Sequence, residues 1–198
     1  MRGSQAQNYR DTADLLWLEL LLGNRGGELQ NMRWADLKQT DDGIVFVIPR
    51  HRNKTRKRDH RIPLSRQAVA VLDTKGLSQP TRRYHKTYVF PNTTGTGPLV
   101  KPRGSQAGLF EAAGLTGSDK AVRHTLRHTF ATRMGQLDVD EVLIGRMLNH
   151  APSESAKITR RYNHHAYDAQ KRAALQQWAD HLYRKILKIG PRRLHRVA

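Results

Sequence analysis

The hydrophobic positions along the chain predict a mainly helical protein. Residues 11–22 open with Asp-Thr-Ala-Asp, a favourable helix start, and continue as a leucine-rich run that is typical of a buried helix. Gly23 and Asn24 interrupt this run, and a second apolar face carrying Leu29 and Met32 follows. The pattern therefore places Arg25 at a turn beside the start of a short second helix.

A different pattern follows from residue 43 to residue 64. Ile44, Phe46 and Ile48 alternate with other residues, which predicts a strand, and residues 61–64 are expected to form the return strand of a hairpin. The loop between these strands is almost entirely basic. Helical spacing reappears in five later segments, with a short extended piece at 88–91; the predicted helices are 65–72, 106–113, 124–135, 140–148 and 167–187. The predicted fold class is mainly α with a small antiparallel β-sheet, an α+β domain.

Composition narrows the class of partner. The 198 residues suffice for one domain, and 35 Lys and Arg against 17 Asp and Glu leave a formal charge of +18, which favours a polyanionic partner. The chain has no cysteine, which excludes disulfides and thiolate chemistry. It also lacks an apolar run long enough for a membrane span, so we expect a cytoplasmic protein with no membrane partner.

The densest candidate chemistry lies in the segment HTLRHTFAT. On a helix, His124, Arg127 and His128 share one face, while Phe130 falls on a neighbouring apolar face. An arginine fork beside an imidazole suits a phosphate group, because it grips two oxygens while the imidazole handles a proton. The HxxxH pair could in principle hold zinc, but no third ligand is suggested and Arg127 would repel a dication. We therefore expect no metal site.

Several motifs in a fixed order resemble the catalytic domain of tyrosine recombinases, the phage-integrase family. The resemblance covers about residues 11–185. The matching segments are GNRGGELQNMRWADL, NKTRKRDHRIPLS, YVFPN, HTLRHTFATRM, LIGRMLNH and TRRYNHHAYDAQKRAAL. It implies the tyrosine recombinase catalytic-domain fold and a site-specific DNA recombinase that cuts and rejoins DNA through a covalent 3′-phosphotyrosine intermediate.

The resemblance also assigns roles to individual residues. Tyr162 attacks phosphorus, Arg25 and Arg127 hold the phosphate, and Lys54 protonates the leaving oxygen. His124 and His150 handle the nucleophile's proton and the phosphate oxygens. Residues expected to contact DNA are Arg50, Arg52, Arg56, Lys57, Arg58, Arg160 and Arg161. Glu28, three residues after Arg25, is expected to pair with it and orient it.

The expected partners are double-stranded attachment sites and other protomers, as a tetramer on DNA and possibly a monomer in isolation. No cofactor is expected, because a transesterification conserves the phosphodiester and needs no nucleotide. We expect the protein in the bacterial cytoplasm, associated with the nucleoid when it is bound to DNA.

The sequence leaves open the identity of the lysine, the identity of the nucleophilic tyrosine and the class of the protein. Between Lys54 and Pro63 this chain has one residue more than the usual spacing in the family, which leaves Lys57 as a second candidate lysine. The interval from His150 to Tyr162 is also longer than usual, which leaves Tyr167 as a competing nucleophile. A type IB topoisomerase or telomere resolvase shares the same core, although such topoisomerases usually carry lysine where this chain has His124. A catalytically incompetent basic DNA-binding fragment is the alternative from a different class.

We expect three segments. Residues 1–10 are interpreted as an expression leader or linker, 11–185 as the integrase-type catalytic domain, and 186–198 as a basic C-terminal tail. The N-terminal DNA-binding domain of full integrases is expected to be missing from this chain.

Overall fold

A computed structural model describes residues 2–53, 58–99, 103–115, 123–150 and 167–188. Seven α-helices lie within these ranges: α1 Arg2–Leu22, α2 Gly26–Gln30, α3 Arg66–Asp73, α4 Arg103–Ala112, α5 Arg123–Gln136, α6 Glu141–Met147 and α7 Asp168–His181. A π-helical turn, Leu182–Ile186, continues α7, and short 3₁₀ turns occur at Trp34–Asp36 and Pro80–Arg82. No helix within these ranges is long and apolar enough to cross a membrane.

The sheet has three antiparallel strands in the order β1 (Leu37–Thr40), β2 (Gly43–Ile48) and β3 (His60–Pro63). Phe46 in the central strand pairs with Leu37 on one side and Ile62 on the other. The predicted hairpin is confirmed, and β1 is an additional strand that the hydrophobic alternation did not indicate. The mainly α fold with a small antiparallel sheet is therefore as predicted.

One hydrophobic core joins the helices and the sheet, with α1 packed against α2, α3, α4, α5 and α7. Trp178 of α7 is fully buried and donates its indole N–H to the Leu20 carbonyl of α1 at 2.9 Å. Its ring meets Phe130 of α5 edge to face, with 6.4 Å between centroids. This junction fixes the end of α1 relative to α5 and α7.

Two elements differ from the pattern-based expectation. Helix α1 begins at Arg2, nine residues before the predicted start, so residues 2–10 are helical. A Cβ added at Gly108 of α4 would lie 2.9 Å from the Tyr9 hydroxyl, so Tyr9 packs closely on α4. The extended piece at 88–91 forms isolated bridges, including Arg33 with Tyr88, and no regular strand.

Candidate active site

Arg25 stands at the N-cap of α2, as the pattern of breakers and apolar residues predicts. Glu28 in the first turn accepts hydrogen bonds from the Arg25 backbone N–H at 3.2 Å, Arg25 Nη1 at 3.4 Å and Asn24 Nδ2 at 3.2 Å. The Glu28 side chain is 7% exposed, whereas that of Arg25 is 32% exposed. The buried Glu28 carboxylate thus binds both the backbone N–H and the partly exposed guanidinium of Arg25, and the expected pairing of the two residues is confirmed.

Arg127 lies on the inner side of α5, with a relative exposure of 6%. Its Nη1 donates to the Gly23 carbonyl at 2.7 Å, and its Nη2 donates to the Leu148 carbonyl. Gly23 has a φ of +66°, and a Cβ added there would lie 2.4 Å from Cδ1 of Phe130, one turn after Arg127. The end of α1 therefore needs glycine to approach α5 closely enough for this bond.

The two carbonyls that Arg127 binds each precede a predicted site residue by two positions. Gly23 leads to Arg25, and Leu148 leads to His150. Between Leu148 and His150, Asn149 is buried and takes a left-handed φ of +50°, after which His150 is exposed. A single guanidinium thus joins the segment that presents Arg25 to the segment that presents His150.

The charges of Arg25 and Arg127 act on each other and on His150. Burial, followed by the nearby Arg25 charge, lowers the pKa of Arg127 to about 10, with Glu28 acting in the opposite direction. Burial, followed by the charges of Arg127 and Arg25, lowers the pKa of His150. The lowered pKa favours neutral His150 beside cations, and the arrangement can bind a phosphate monoanion while offering a proton acceptor.

His124 and His128 occupy the same helix but a different environment from Arg127. Both histidines are exposed, and their rings meet edge to face with 4.4 Å between centroids. Arg127, which helical spacing places on the same face as these histidines, is buried and turns inward. The reason is that carbonyl acceptors at Gly23 and Leu148 offer buried partners that helical spacing alone does not reveal.

The basic hairpin is also less uniform than its sequence suggests. Arg50 is exposed, and its backbone N–H donates to Asp59. Arg52, predicted to contact DNA, is ion-paired with Asp36 and has a side chain that is 19% exposed. Arg58 is partly buried, and burial followed by the Arg146 charge lowers its pKa.

Tyr167, the competing nucleophile, caps the start of α7 with a left-handed φ of +57°. The Arg146 guanidinium lies 4.2 Å from the centroid of its ring, a cation–π contact between α6 and α7. Next to it, Asp168 binds Arg61 of β3 at 2.7 Å. These contacts give Tyr167 a packing role at the start of the final helix.

Two buried ionisable residues beside the site were missed by the sequence interpretation. Burial, followed by the Lys171 charge, lowers the pKa of His60 to about 3. Burial also lowers the pKa of Lys171 to about 8, while its Nζ donates to the Arg61 carbonyl at 3.0 Å. The sequence does hold a signal for His60, because residues two apart in a strand face the same side, and His60 lies two residues before the buried Ile62 on β3. Helical position alone did not distinguish Lys171 from an exposed lysine.

Six predicted site residues lie outside the described ranges. They are Lys54, Arg56, Lys57, Arg160, Arg161 and Tyr162. Seven predicted site residues lie within the described ranges: Arg25, Arg127 and His150, whose segments the Arg127 bonds join, His124 on α5, and the hairpin arginines Arg50, Arg52 and Arg58.

The fold is that of a tyrosine recombinase catalytic domain. Two solved structures share the fold, those of the XerH site-specific recombinase bound to its difH substrate before cleavage and to palindromic difH after cleavage. Their TM-scores are 0.58 and 0.57, with 22% identity in each case. The alignments cover 82% and 84% of this chain and 44% of each XerH chain.

The chain belongs to the phage integrase family, whose sequence profile matches residues 3–169. It is 33% identical over 167 residues to the prophage integrase IntZ of Escherichia coli K12, covering 82% of this chain and 37% of IntZ. It is 29% identical to IntA of the same strain, covering 85% of this chain and 38% of IntA. The integrase of Shigella phage Sf6 is 31% identical, with coverages of 82% and 39%. The chain thus spans less than half the length of these relatives.

Proposed function

We propose that this chain is the catalytic domain of a site-specific DNA recombinase that cuts and rejoins strands through a 3′-phosphotyrosine. The single observation that supports the proposal is the Arg127 bridge, which joins the backbone segment that carries Arg25 to the one that carries His150. Membership of the phage integrase family supports the same reaction.

The cleavage step is a transesterification at phosphorus. The phenol oxygen of Tyr162 forms a bond to phosphorus as the bond to the 5′-oxygen breaks, leaving a 3′-phosphotyrosine and a 5′-hydroxyl. Negative charge grows on the nonbridging oxygens in the transition state. Arg25 and Arg127 stabilise that charge, since a guanidinium is a planar cation that can donate two hydrogen bonds to phosphate oxygens, and Arg127 is already held in place by two carbonyls.

Two protons move in this step. His150 and His124 are assigned to the phenol proton and to hydrogen bonds with phosphate oxygens, and the lowered pKa of His150 suits a proton acceptor. Lys54 in the β2–β3 loop is assigned to the leaving 5′-oxygen, which needs a proton as it departs. Rejoining is the same step in reverse, with the 5′-hydroxyl of another strand as the nucleophile.

The substrate in this proposal is double-stranded DNA at an attachment site. Arg50, Arg58 and the basic residues of 54–57 and 160–161 would neutralise backbone phosphates, in keeping with the formal charge of +18. Four protomers would act on two duplexes, and the bacterial cytoplasm, where the chromosome lies, is the proposed place of action.

A suicide duplex, nicked so that the short fragment released with the new 5′-hydroxyl diffuses away, tests the reaction. The wild-type chain is expected to form a covalent adduct on denaturing gels, while Tyr162→Phe binds DNA with unchanged affinity and forms none. Peptide mapping should place the nucleotide on Tyr162. Modification of Tyr167 would refute the choice of nucleophile, and the absence of any adduct with bound DNA would refute the enzymatic proposal in favour of a binding fragment.

A further inference from the structure

Helix α6 ends in a left-handed turn directly before His150. Leu148 is the C-cap of the helix, and Asn149 after it has a φ of +50°. The His150 N–H donates to the Gly145 carbonyl at 2.9 Å, and the Asn149 N–H donates to the Arg146 carbonyl at 3.3 Å. These two bonds around one left-handed residue form a Schellman motif. The backbone of His150 is therefore held by the end of the helix that precedes it.

Asn149 separates two peptide groups that are both held by hydrogen bonds. The peptide group before it carries the Leu148 carbonyl, which accepts the bond from Arg127 Nη2. The peptide group after it carries the His150 N–H, which binds the Gly145 carbonyl. Because each peptide group is planar, the φ and ψ angles of Asn149 decide how the two groups stand relative to each other. One residue thus relates the Arg127 guanidinium to the start of His150.

The residue type at position 149 suits this backbone conformation. Glycine adopts a positive φ readily, and asparagine and aspartate do so more easily than other residues, whereas a β-branched residue strongly disfavours it. Asn149 is 5% exposed, and its Nδ2 has no hydrogen-bond partner within the described part of the chain. The conformation of its backbone, rather than a bond from its amide nitrogen, therefore accounts for the asparagine.

Helix α5 ends in the same motif, but no site residue follows it. Asp138 has a φ of +59°, and its N–H donates to the Gly135 carbonyl at 3.1 Å. The Val139 N–H donates to the Met134 carbonyl at 3.1 Å. Asp138 is exposed, and Val139 packs against the hydrophobic core. The turn at Asp138 therefore offers a matched comparison for the turn at Asn149.

We propose that Asn149 is a positioning residue, whose left-handed backbone sets the place of His150 relative to the Arg127 guanidinium. This inference rests on the proposed function, in which Arg127 and His150 act on the same phosphate. Asn149 is buried and uncharged, so it contributes no ionic contact to a DNA phosphate. Its replacement should therefore change the rate of cleavage and leave the affinity for DNA unchanged.

The first test compares Asn149→Gly with Asn149→Val in single-turnover cleavage at saturating DNA. Glycine adopts the left-handed conformation freely, so Asn149→Gly should cleave within about threefold of the wild-type rate. Valine is similar in size to asparagine but disfavours a positive φ, so Asn149→Val should cleave about 100-fold more slowly, the effect of a displacement of about 1 Å. Equal rates for the two variants, whether fast or slow, would overturn the proposal.

Asp138→Val is the matched control, because it introduces the same strain in the same motif at the end of α5. Both valine variants should unfold at a lower urea concentration than wild type, but only Asn149→Val should lose cleavage. Thermal unfolding identifies any variant that fails to fold, and rates are measured where all variants are folded. If Asp138→Val slows cleavage as much as Asn149→Val, the lost stability of a helix end explains both results and the positioning role fails.

The second test observes His150 in the absence of DNA. Burial, followed by the charges of Arg127 and Arg25, lowers the pKa of His150 from its ordinary value of 6.5. A displaced imidazole leaves these surroundings, so the pKa of His150 should rise toward 6.5 in Asn149→Val and stay lowered in Asn149→Gly. NMR titration of the imidazole measures both values, with His150→Gln identifying its signal. An unchanged pKa of His150 in Asn149→Val would contradict the proposal.

A double variant shows whether Asn149 acts through His150. Asn149→Val combined with His150→Ala should cleave no more slowly than His150→Ala alone, because the side chain that would be misplaced is already gone. Additive losses would contradict this route.

The two proposals can fail separately. If the wild-type chain forms no adduct with the suicide duplex, the proposed function fails, while the NMR titration still decides whether Asn149 places His150. If the wild-type chain forms the adduct and Asn149→Val forms it at the same rate, only the positioning role fails.

Discussion

Arg127 reaches the Gly23 carbonyl at 2.7 Å across 104 positions of sequence, and it does so where glycine alone fits. The bond sets the spacing between the end of α1 and helix α5. Because Arg25 lies two residues after Gly23, the same contact sets the distance between the two arginines of the site. The backbone of the segment that carries Arg25 is thus a hydrogen-bond acceptor for a side chain of α5.

Gly23→Ala should destabilise the protein by about 3 kcal/mol. A left-handed alanine costs about 1–2 kcal/mol, and a Cβ placed 2.4 Å from the Phe130 ring adds an overpacking penalty of about 1–3 kcal/mol. Urea unfolding measures the loss. The control is Gly135→Ala on α5, where an added Cβ has no neighbour within 4 Å, and which should be neutral or more stable by up to about 1 kcal/mol. Equal stability of Gly23→Ala and wild type would contradict this account.

Arg127→Lys should reduce the rate of covalent adduct formation about 100- to 1000-fold, because an ammonium cannot hold two carbonyls and the phosphate together. Stability should fall by about 1–3 kcal/mol, since one buried carbonyl loses its donor. Single-turnover cleavage and urea unfolding measure the two effects. Arg133→Lys is the control on the same helix, where the exposed arginine donates to Gln136 in a surface contact that should be worth little. A fully active Arg127→Lys enzyme would be inconsistent with the proposed role.

Glu28→Ala should slow cleavage about 10- to 100-fold without weakening DNA binding. The carboxylate orients Arg25, so its loss frees the guanidinium, whereas the loss of a negative charge near the phosphate favours DNA. Glu28→Gln should be milder, since an amide oxygen still accepts the Arg25 N–H. Binding and cleavage are measured on the same duplex, with the exposed Glu111→Ala as control for charge. Weaker binding with an unchanged rate would reverse the assignment.

The stability of the protein should decrease as the pH falls below neutrality, partly because of His60. Its pKa is about 3 in the folded state against 6.5 as the ordinary value, so between these pH values the unfolded chain binds a proton that the folded chain does not. Protonation therefore favours unfolding, and one such group contributes about 2 kcal/mol of lost stability between pH 7.5 and pH 5.

Urea unfolding across that pH range tests the effect by comparing wild type with His60→Gln, whose stability should depend less steeply on pH. His51→Gln, a substitution of an exposed histidine, controls for the loss of one imidazole. Parallel curves for wild type and His60→Gln would show that His60 does not contribute.

Much of the fold followed from local patterns. Ser65 caps α3 and Asp140 caps α6, each through a side-chain bond to the backbone, where short polar residues precede helical spacing. The β2–β3 hairpin followed from the alternation around Phe46. Strand β1 did not, because Leu37–Thr40 carries one apolar residue and gains its place by pairing with β2.

The order of motifs, the charge of +18 and the helical spacing of His124 and Arg127 were determined by the sequence itself, since each depends on residue type and local separation. Tertiary structure decided whether each basic side chain points inward or toward solvent. Arg127 turns inward because the Gly23 and Leu148 carbonyls accept its hydrogen bonds. Arg52 turns inward because it forms an ion pair with Asp36. A buried side chain takes the orientation that satisfies its polar groups, and its partners come from distant parts of the chain.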